Sequence, residues 1–326
     1  MRVFVAGATG VLGKRLVPML VENGHEVTGM TRTPAKEDLI REFGARPAMA
    51  DALDPEAVAR AVAEADPEVV IHQLTAIDAS AFGRSLDKMF AQTNRLRTEG
   101  TDHLLAAARA VGARRFIAQS FAGWPFARTG GPIKTEEEAL DGSPPKTVRG
   151  TLGAIRYLEQ TVTKADGVEG FALRYGGFYG PGTSIAIAPD GAQVAMIRKR
   201  RLPIVGSGAG IWSLIHIHDE ASATAAAVER GEPGVYNVVD EEPAPVSVVL
   251  PELAKAIGAK PPRHLPRWVG RMVAGEGTVV MMTEVRGASN AKAKRELGWE
   301  LRYPSWRLGF RKGLTAPAGQ RVGSAP

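Results

Sequence analysis

Met1-Arg-Val-Phe-Val-Ala-Gly7-Ala-Thr9-Gly10-Val11-Leu12-Gly13-Lys-Arg-Leu16 is the stretch that decides the fold. A β-branched and aromatic run, Val3-Phe4-Val5, leads into three glycines spaced three apart. Apolar residues at helical spacing follow: Leu12, Leu16, Met19 and Leu20. Strand, glycine turn and helix together make a dinucleotide-binding unit. Gly7 permits the tight turn off the strand, Gly10 lets the backbone approach a pyrophosphate, and Gly13 lets the helix pack closely on the sheet. Free N–H groups and the positive end of the helix dipole then face the phosphates, so the turn residues Gly7, Thr9, Gly10, Val11, Leu12 and Gly13 are candidate contacts. A lone three-glycine match is weak. This one follows a strand and opens a helix, the context such a fingerprint needs.

Outward from the turn, Glu22-Asn23-Gly24 ends the helix and His25 to Thr31 reads as the second strand. The residue at the end of that strand selects the cofactor: an acid binds a ribose 2′-hydroxyl, a base accommodates a 2′-phosphate. Here the chain runs Thr31-Arg32-Thr33-Pro34-Ala35-Lys36, with no carboxylate before Glu37. Charge-assisted bonds from Arg32 and Lys36 favour NADP over NAD, whereas an Arg32 that only stacked on adenine would leave both open. Arg46 to Asp51, with Ala52, leads toward the adenine side, and Asp54-Pro55 starts a helix as N-cap and first-turn proline. Glu68 to Leu74 is a continuously apolar, buried parallel strand whose end, Leu74-Thr75-Ala76, points at the cofactor. His72 inside it is expected to be a core residue. Met89 to Val111 reads as one helix with Asn94 near its start, and Arg115 to Ser120 as the next strand. Thr135 to Glu138 has capping-box spacing for a short helix. Leu152, Ile155, Leu158 and Val162 recur at helical spacing before a sixth strand, Gly170 to Tyr175. Trp212 to His218 alternates as a strand, with Asp219 capping an alanine-rich helix, and 234–239 is a further strand.

Composition narrows the function classes. At 326 residues the chain suits one α/β domain plus a smaller lobe, and 44% hydrophobic with 23% charged residues is ordinary for a globular protein. The absence of cysteine excludes disulfides and thiolate chemistry and points to a reducing, cytoplasmic setting. A strand at the first residue is not a signal peptide, and no apolar run reaches the ~18 residues that span a bilayer. The net charge of +6, from 41 basic and 35 acidic residues, is spread out except for Arg198-Lys199-Arg200-Arg201. Without aromatic interleaving that cluster reads as a solvated helix end, so neither nucleic acid nor membrane is an expected partner. No metal site is expected either.

Several further stretches join the glycine turn: Ile71-His-Gln-Leu-Thr-Ala76, Leu173-Arg-Tyr-Gly-Gly-Phe-Tyr-Gly-Pro-Gly182, Ile215-His-Ile-His-Asp219, Tyr236-Asn-Val-Val and Lys294-Arg-Glu-Leu-Gly-Trp299. In this order, over residues 1 to about 314, they resemble the short-chain dehydrogenase/reductase superfamily in its extended, NAD-dependent epimerase/dehydratase-like branch. The resemblance implies an α/β Rossmann-type fold, a doubly wound parallel sheet over 1–175 and 210–240. It also implies a smaller, discontinuous substrate lobe over 176–209 and 241–314, with 315–326 read as a disordered tail. It adds Asn94, Tyr175 and Gly176 to the cofactor contacts, and leaves a homodimer open.

The family's chemistry uses a serine, a tyrosine and a lysine four residues later. Tyrosine exchanges a proton with the substrate oxygen as hydride moves, lysine lowers the tyrosine pKa, and serine orients the oxygen. By resemblance Ser120 takes the serine's place. The family's acid beyond the lysine matches Glu159, and counting back places Ile155 at the lysine and Thr151 at the tyrosine. Both usual groups are missing. Tyr179, in the glycine-rich loop after the sixth strand, is the candidate displaced proton donor, with Thr151 or a water as alternatives. The family's diphosphate-binding arginine falls at Trp212, and Phe121, Trp124, Phe126 and Phe178 suggest an apolar pocket rather than one for a nucleotide sugar. Trp268, Met272, Met281 and Met282 read as lobe lining or lobe core. Three functions fit: an atypical NADP(H)-dependent oxidoreductase acting on a carbonyl-type group of a small apolar molecule, a redox-neutral epimerase that retains NAD(P), and a non-catalytic NADP(H)-binding regulator.

Overall fold

The computed structural model describes residues 1–77, 86–187 and 191–315. The tail expected at 315–326 lies, but for its first residue, outside them. Seven parallel strands build the central sheet: β1 (Arg2–Ala6), β2 (Glu26–Thr31), β3 (Arg46–Met49), β4 (Val69–His72), β5 (Arg115–Phe121), β6 (Glu169–Tyr175) and β7 (Gly234–Val238). Their spatial order is β7-β6-β5-β4-β1-β2-β3. Chain direction across the sheet therefore reverses between β1, paired with β2 at Val3↔Val27, and β4, paired with β1 at Val5↔Ile71. A ligand crevice opens at such a switch point, beyond the carboxyl ends of the strands.

Period-two alternation assigns each strand's side chains to two helical layers. Val3, Val5, Ile71 and Ile117 pack with α1 (Gly13–Glu22) and α9 (Ile217–Glu229) on one face. Phe4, Val70, Phe116 and Ala118 pack on the other with α3 (Pro55–Ala65), α6 (Thr101–Ala110) and α7 (Arg149–Thr163). Asp54 caps α3 as expected, its Oδ1 accepting from the Glu56 and Ala57 N–H groups. The short α2 (Glu37–Glu42) follows Lys36. The long helix expected from Met89 is a broken rod: α4 (Leu86–Met89), α5 (Ala91–Arg95), a π-turn over Leu96–Gly100, then α6.

The smaller lobe gathers α8 (Ala192–Arg198), α10 (Val246–Ala256), α11 (Arg267–Thr283) and α13 (Trp306–Lys312) around a separate apolar core. α11 is broken at Gly275, whose φ is 79°. Four further sequence expectations need correction. The run 212–218 is not one strand: Ile211–Trp212 pairs antiparallel with Ala244–Pro245, Leu214–His216 pairs parallel with Gly177–Tyr179, and α9 begins at Ile217. The His216 ring caps α9, while Asp219 inside it accepts from the N–H groups of Arg302 and Tyr303. Segment α12 (Ala291–Leu297), placed in the lobe by sequence, buries Ala293 and Leu297 in the sheet's α1/α9 core, as does Trp299 just beyond it. At 135–138 the Thr135 hydroxyl does bond Glu138 (2.8 Å), but no helix follows, because Leu140 bridges back to Phe126 instead.

Candidate active site

The glycine turn has the shape a pyrophosphate needs. Gly7 sits at φ 99°, and a Cβ there would lie 2.8 Å from the Gln73 carbonyl. A Cβ on Gly13 would lie 2.3 Å from the Gly7 oxygen, and the Gly10 N–H closes the turn onto that oxygen at 3.0 Å. Among the described residues no side chain caps the N-terminus of α1; the N–H groups of Lys14 and Arg15 close onto the Gly10 (3.0 Å) and Leu12 (2.8 Å) carbonyls, which leaves the N–H groups of the turn just before them to face an anion. Val11 is exposed and Thr9 half-buried at this mouth. Leu12 is buried in the core, so only its backbone can face a ligand. Leu74 and Thr75 lie open at the end of β4, whereas both backbone groups of Ala76 are held by the Thr93 hydroxyl at 2.9 Å. His72 is a core residue, as expected. Its Nε2 lies 3.1 Å from the Leu96 carbonyl, and burial pushes its pKa down to about 4.

Arg32 and Lys36 follow directly on β2, and Lys14 of α1 lies within electrostatic reach of Lys36. Arg32 is largely exposed, 3.9 Å from Asp51, whose other oxygen accepts from the Leu53 N–H. Burial, then the charges of Lys36 and Arg15, lowers the pKa of Lys14. Sequence reading passed over Lys14, although its place directly after Gly13 was a usable signal. Thr31 is buried, its hydroxyl turned back to its own loop, where it accepts from the Thr33 N–H. Ala52 is buried and its carbonyl meets the His103 ring at 2.9 Å. Neither side chain reaches a ligand.

At the reacting end the structure brings Thr151 and Asn94 together and separates the other candidates. Thr151 Oγ1 donates to Asp87 Oδ1 at 2.7 Å and accepts from Asn94 Nδ2 at 3.2 Å. Asp87 also accepts the N–H groups of Gly150 (3.0 Å) and Thr151 (2.7 Å), tying α4 to the start of α7. No local signal marks Asp87, because its partners lie more than sixty residues away. Ile155, one turn along α7, is fully buried among Trp124, Val148, Leu152, Val280 and Val285. A largely apolar crevice lined by Trp124, Pro145, Val148, Leu152 and Val280 opens beside this cluster, with the carboxylate of Asp141, paired to Arg128 at 2.9 Å, also in its wall. Phe121 stands edge-on to Trp124, with ring centroids 6.1 Å apart.

Ser120 is a correction. Strand alternation turns its hydroxyl under the sheet toward α7, where it donates 2.6 Å to Glu159, itself bonded twice at 2.8 Å by Arg174. All three are buried, so Ser120 serves a structural ion pair rather than a substrate oxygen. Tyr179 is a second correction: it lies fully buried between His216 and Phe310 in the lobe core, and burial pushes its pKa up. Tyr175 is a third. Its hydroxyl accepts from Gln73 Nε2 (2.9 Å) and meets Thr224 (2.7 Å) inside the sheet core, so its side chain does not reach a cofactor. Gly176 holds its place through its N–H on the Val238 carbonyl. Of the expected pocket aromatics, Phe126 packs on Arg174 and Phe178 on Tyr175, leaving Phe121 and Trp124. Trp268 and Met272 are exposed, Met281 lines the crevice, and Met282 is lobe core.

A family model described as the NAD dependent epimerase/dehydratase family matches residues 3–239. The chain is 43% identical over 311 residues to a 3-diazoavenalumate denitrifying reductase from a Streptomyces species, covering 95% of this chain and 99% of that one. It is 31% identical over 269 residues to a 2-alkyl-3-oxoalkanoate reductase of Stenotrophomonas maltophilia, covering 79% and 76%. Among solved structures, a UDP-glucose 4-epimerase of Thermotoga maritima superposes with a TM-score of 0.74 at 22% identity, covering 96% and 97%, which shows a shared fold.

Proposed function

The chain belongs to the NAD-dependent epimerase/dehydratase family, and on that premise we propose that it is an NADP(H)-dependent reductase acting on a diazo- or diazonium-bearing carbon of a small, fairly apolar aromatic molecule, with loss of dinitrogen. The observation that carries this reading is the pair Thr151 and Ile155, standing where the family's proton-donating tyrosine and its lysine are expected.

A reduced nicotinamide cofactor, its pyrophosphate held at the glycine turn of Gly7, Gly10 and Gly13, would supply hydride. Reduction of a carbonyl also needs a proton at oxygen as hydride arrives at carbon. The Thr151 hydroxyl is a poor acid, its proton is directed to Asp87, and no lysine stands at 155 to assist it. A diazonium carbon needs no proton. One C–H bond forms from hydride, the C–N bond breaks with its electron pair leaving on dinitrogen, and cation plus hydride becomes a neutral arene and a neutral gas. Trp124 and Pro145, in the wall of the crevice between α7 and α11, offer surfaces on which a flat apolar ring would stack. Arg32 and Lys36 just past β2 support NADP over NAD, and a 2′-phosphate would also offset the repulsion between Lys36 and Lys14.

Two measurements test the reading. Enzyme with [4-²H]NADPH and an aryl diazonium salt should release dinitrogen and give an arene carrying deuterium, while unlabelled NADPH in D₂O should give none. Hydrogen drawn from solvent onto carbon, or turnover of ketones but not of diazonium salts, would overturn it. Arg32→Ala should narrow the preference for NADPH over NADH; an unchanged ratio would place the phosphate contact elsewhere.

A further inference from the structure

The Asp87–Thr151–Asn94 cluster has a hydrogen-bond direction that fixes the sign of its field. The Thr151 proton goes to Asp87 Oδ1, so Thr151 Oγ1 accepts from Asn94, which assigns the amide nitrogen to that contact. Asn94 Oδ1 is then left as a buried acceptor without a partner among the described residues. The bonds to Asp87 come from neutral donors, the N–H groups of Gly150 and Thr151 and the Thr151 hydroxyl. Leu86, beside Asp87, belongs to the same apolar cluster as Val148, Leu152 and Val280, three residues of the crevice wall. Asp87 is half-buried beside this apolar cluster, and the residue one turn along the same face of α7 is Ile155 rather than a lysine.

We infer that Asp87 is a specificity-determining residue that makes this site select a cationic electrophile over a neutral one, with Asn94 Oδ1 as the second acceptor. This rests on the location of the site given above and deepens that reading. A site meant for a carbonyl stabilises a developing oxyanion with a donor or a cation. This one presents a carboxylate and a free carbonyl oxygen, which destabilise an oxyanion and attract positive charge. A helix-capping role alone would explain the two N–H contacts of Asp87 but would produce no dependence on ligand charge.

Phenyltrimethylammonium and tert-butylbenzene have the same shape and differ by one charge, so their affinities for the NADPH-loaded protein, read by tryptophan quenching and calorimetry, isolate the effect. Wild type should bind the cation at least about ten-fold more tightly. Asp87→Asn, which keeps an oxygen for the helix cap, should bring the ratio below about two-fold, and Asp87→Glu should restore part of it. Equal binding in wild type, or a preference that survives Asp87→Asn, overturns the assignment. If Asp87→Asn does not fold, Asn94→Asp should strengthen the preference, and an unchanged ratio there overturns it equally. Diazonium turnover is scored separately. A charge preference that follows Asp87 without such turnover keeps this inference and rejects the denitrifying reading; turnover without the preference does the reverse.

Discussion

Ser120→Ala discriminates most sharply between the sequence and structural readings of this site. The hydroxyl donates 2.6 Å to Glu159, and the same carboxylate receives two 2.8 Å bonds from Arg174, with all three side chains buried. Removing the hydroxyl deletes one hydrogen bond to a charged group, worth about 1.5–3 kcal/mol, and leaves the ion pair closed. Loss of the whole pair would cost more, since a buried charge without its partner is destabilising by roughly 3–5 kcal/mol. For a chain of 326 residues, an unfolding entropy of about 2.1 cal/mol/K per residue converts the smaller figure into a Tm decrease of roughly 2–4 °C. Differential scanning calorimetry reads that shift, and steady-state kinetics on the same preparation should show kcat within about two-fold of wild type. An unchanged Tm with a ten-fold fall in kcat would refute the argument and return Ser120 to the reacting centre.

Tyr179→Phe should leave turnover unchanged and Tm equal or higher, because the deleted hydroxyl is buried without a hydrogen-bond partner among the described residues and its desolvation costs about 1–3 kcal/mol; a large loss of kcat would show that the lobe opens and exposes it. Gly13→Ala should abolish the Tm increase produced by NADPH, since the new Cβ would lie 2.3 Å from the Gly7 oxygen; a normal ligand-induced shift would mean the turn does not cradle the cofactor. Asp240 is buried, and burial raises its pKa from 3.8 to about 8, so the folded protein holds a proton through this window that the unfolded chain has lost. That contribution is present below about pH 4 and disappears as pH rises toward 8. Urea titrations at pH 5 and pH 8 should therefore differ by a few kcal/mol less in Asp240→Asn than in wild type, and equal differences would show that Asp240 is not the titrating group.

What was legible in the sequence is what local periodicity and backbone geometry dictate. Val3-Phe4-Val5 with Gly7, Gly10 and Gly13 specified a strand, a turn and a helix, because few residue types tolerate that turn and few patterns pack on both faces of a parallel sheet. Thr151, Ile155 and Glu159, four residues apart in sequence, share the buried face of α7, since a helix keeps its register over two turns. That Arg32 and Lys36 follow directly on the end of the second strand was likewise readable. What each side chain meets across the fold was decided only in three dimensions. One residue of strand phase turned Ser120 away from the crevice, and burial in the lobe core removed Tyr179 from it. Asp87 joined Thr151 from 64 positions away. Long-range pairing leaves no period in the chain, so the charge that the site offers its substrate existed in the tertiary structure and not in any local stretch of sequence.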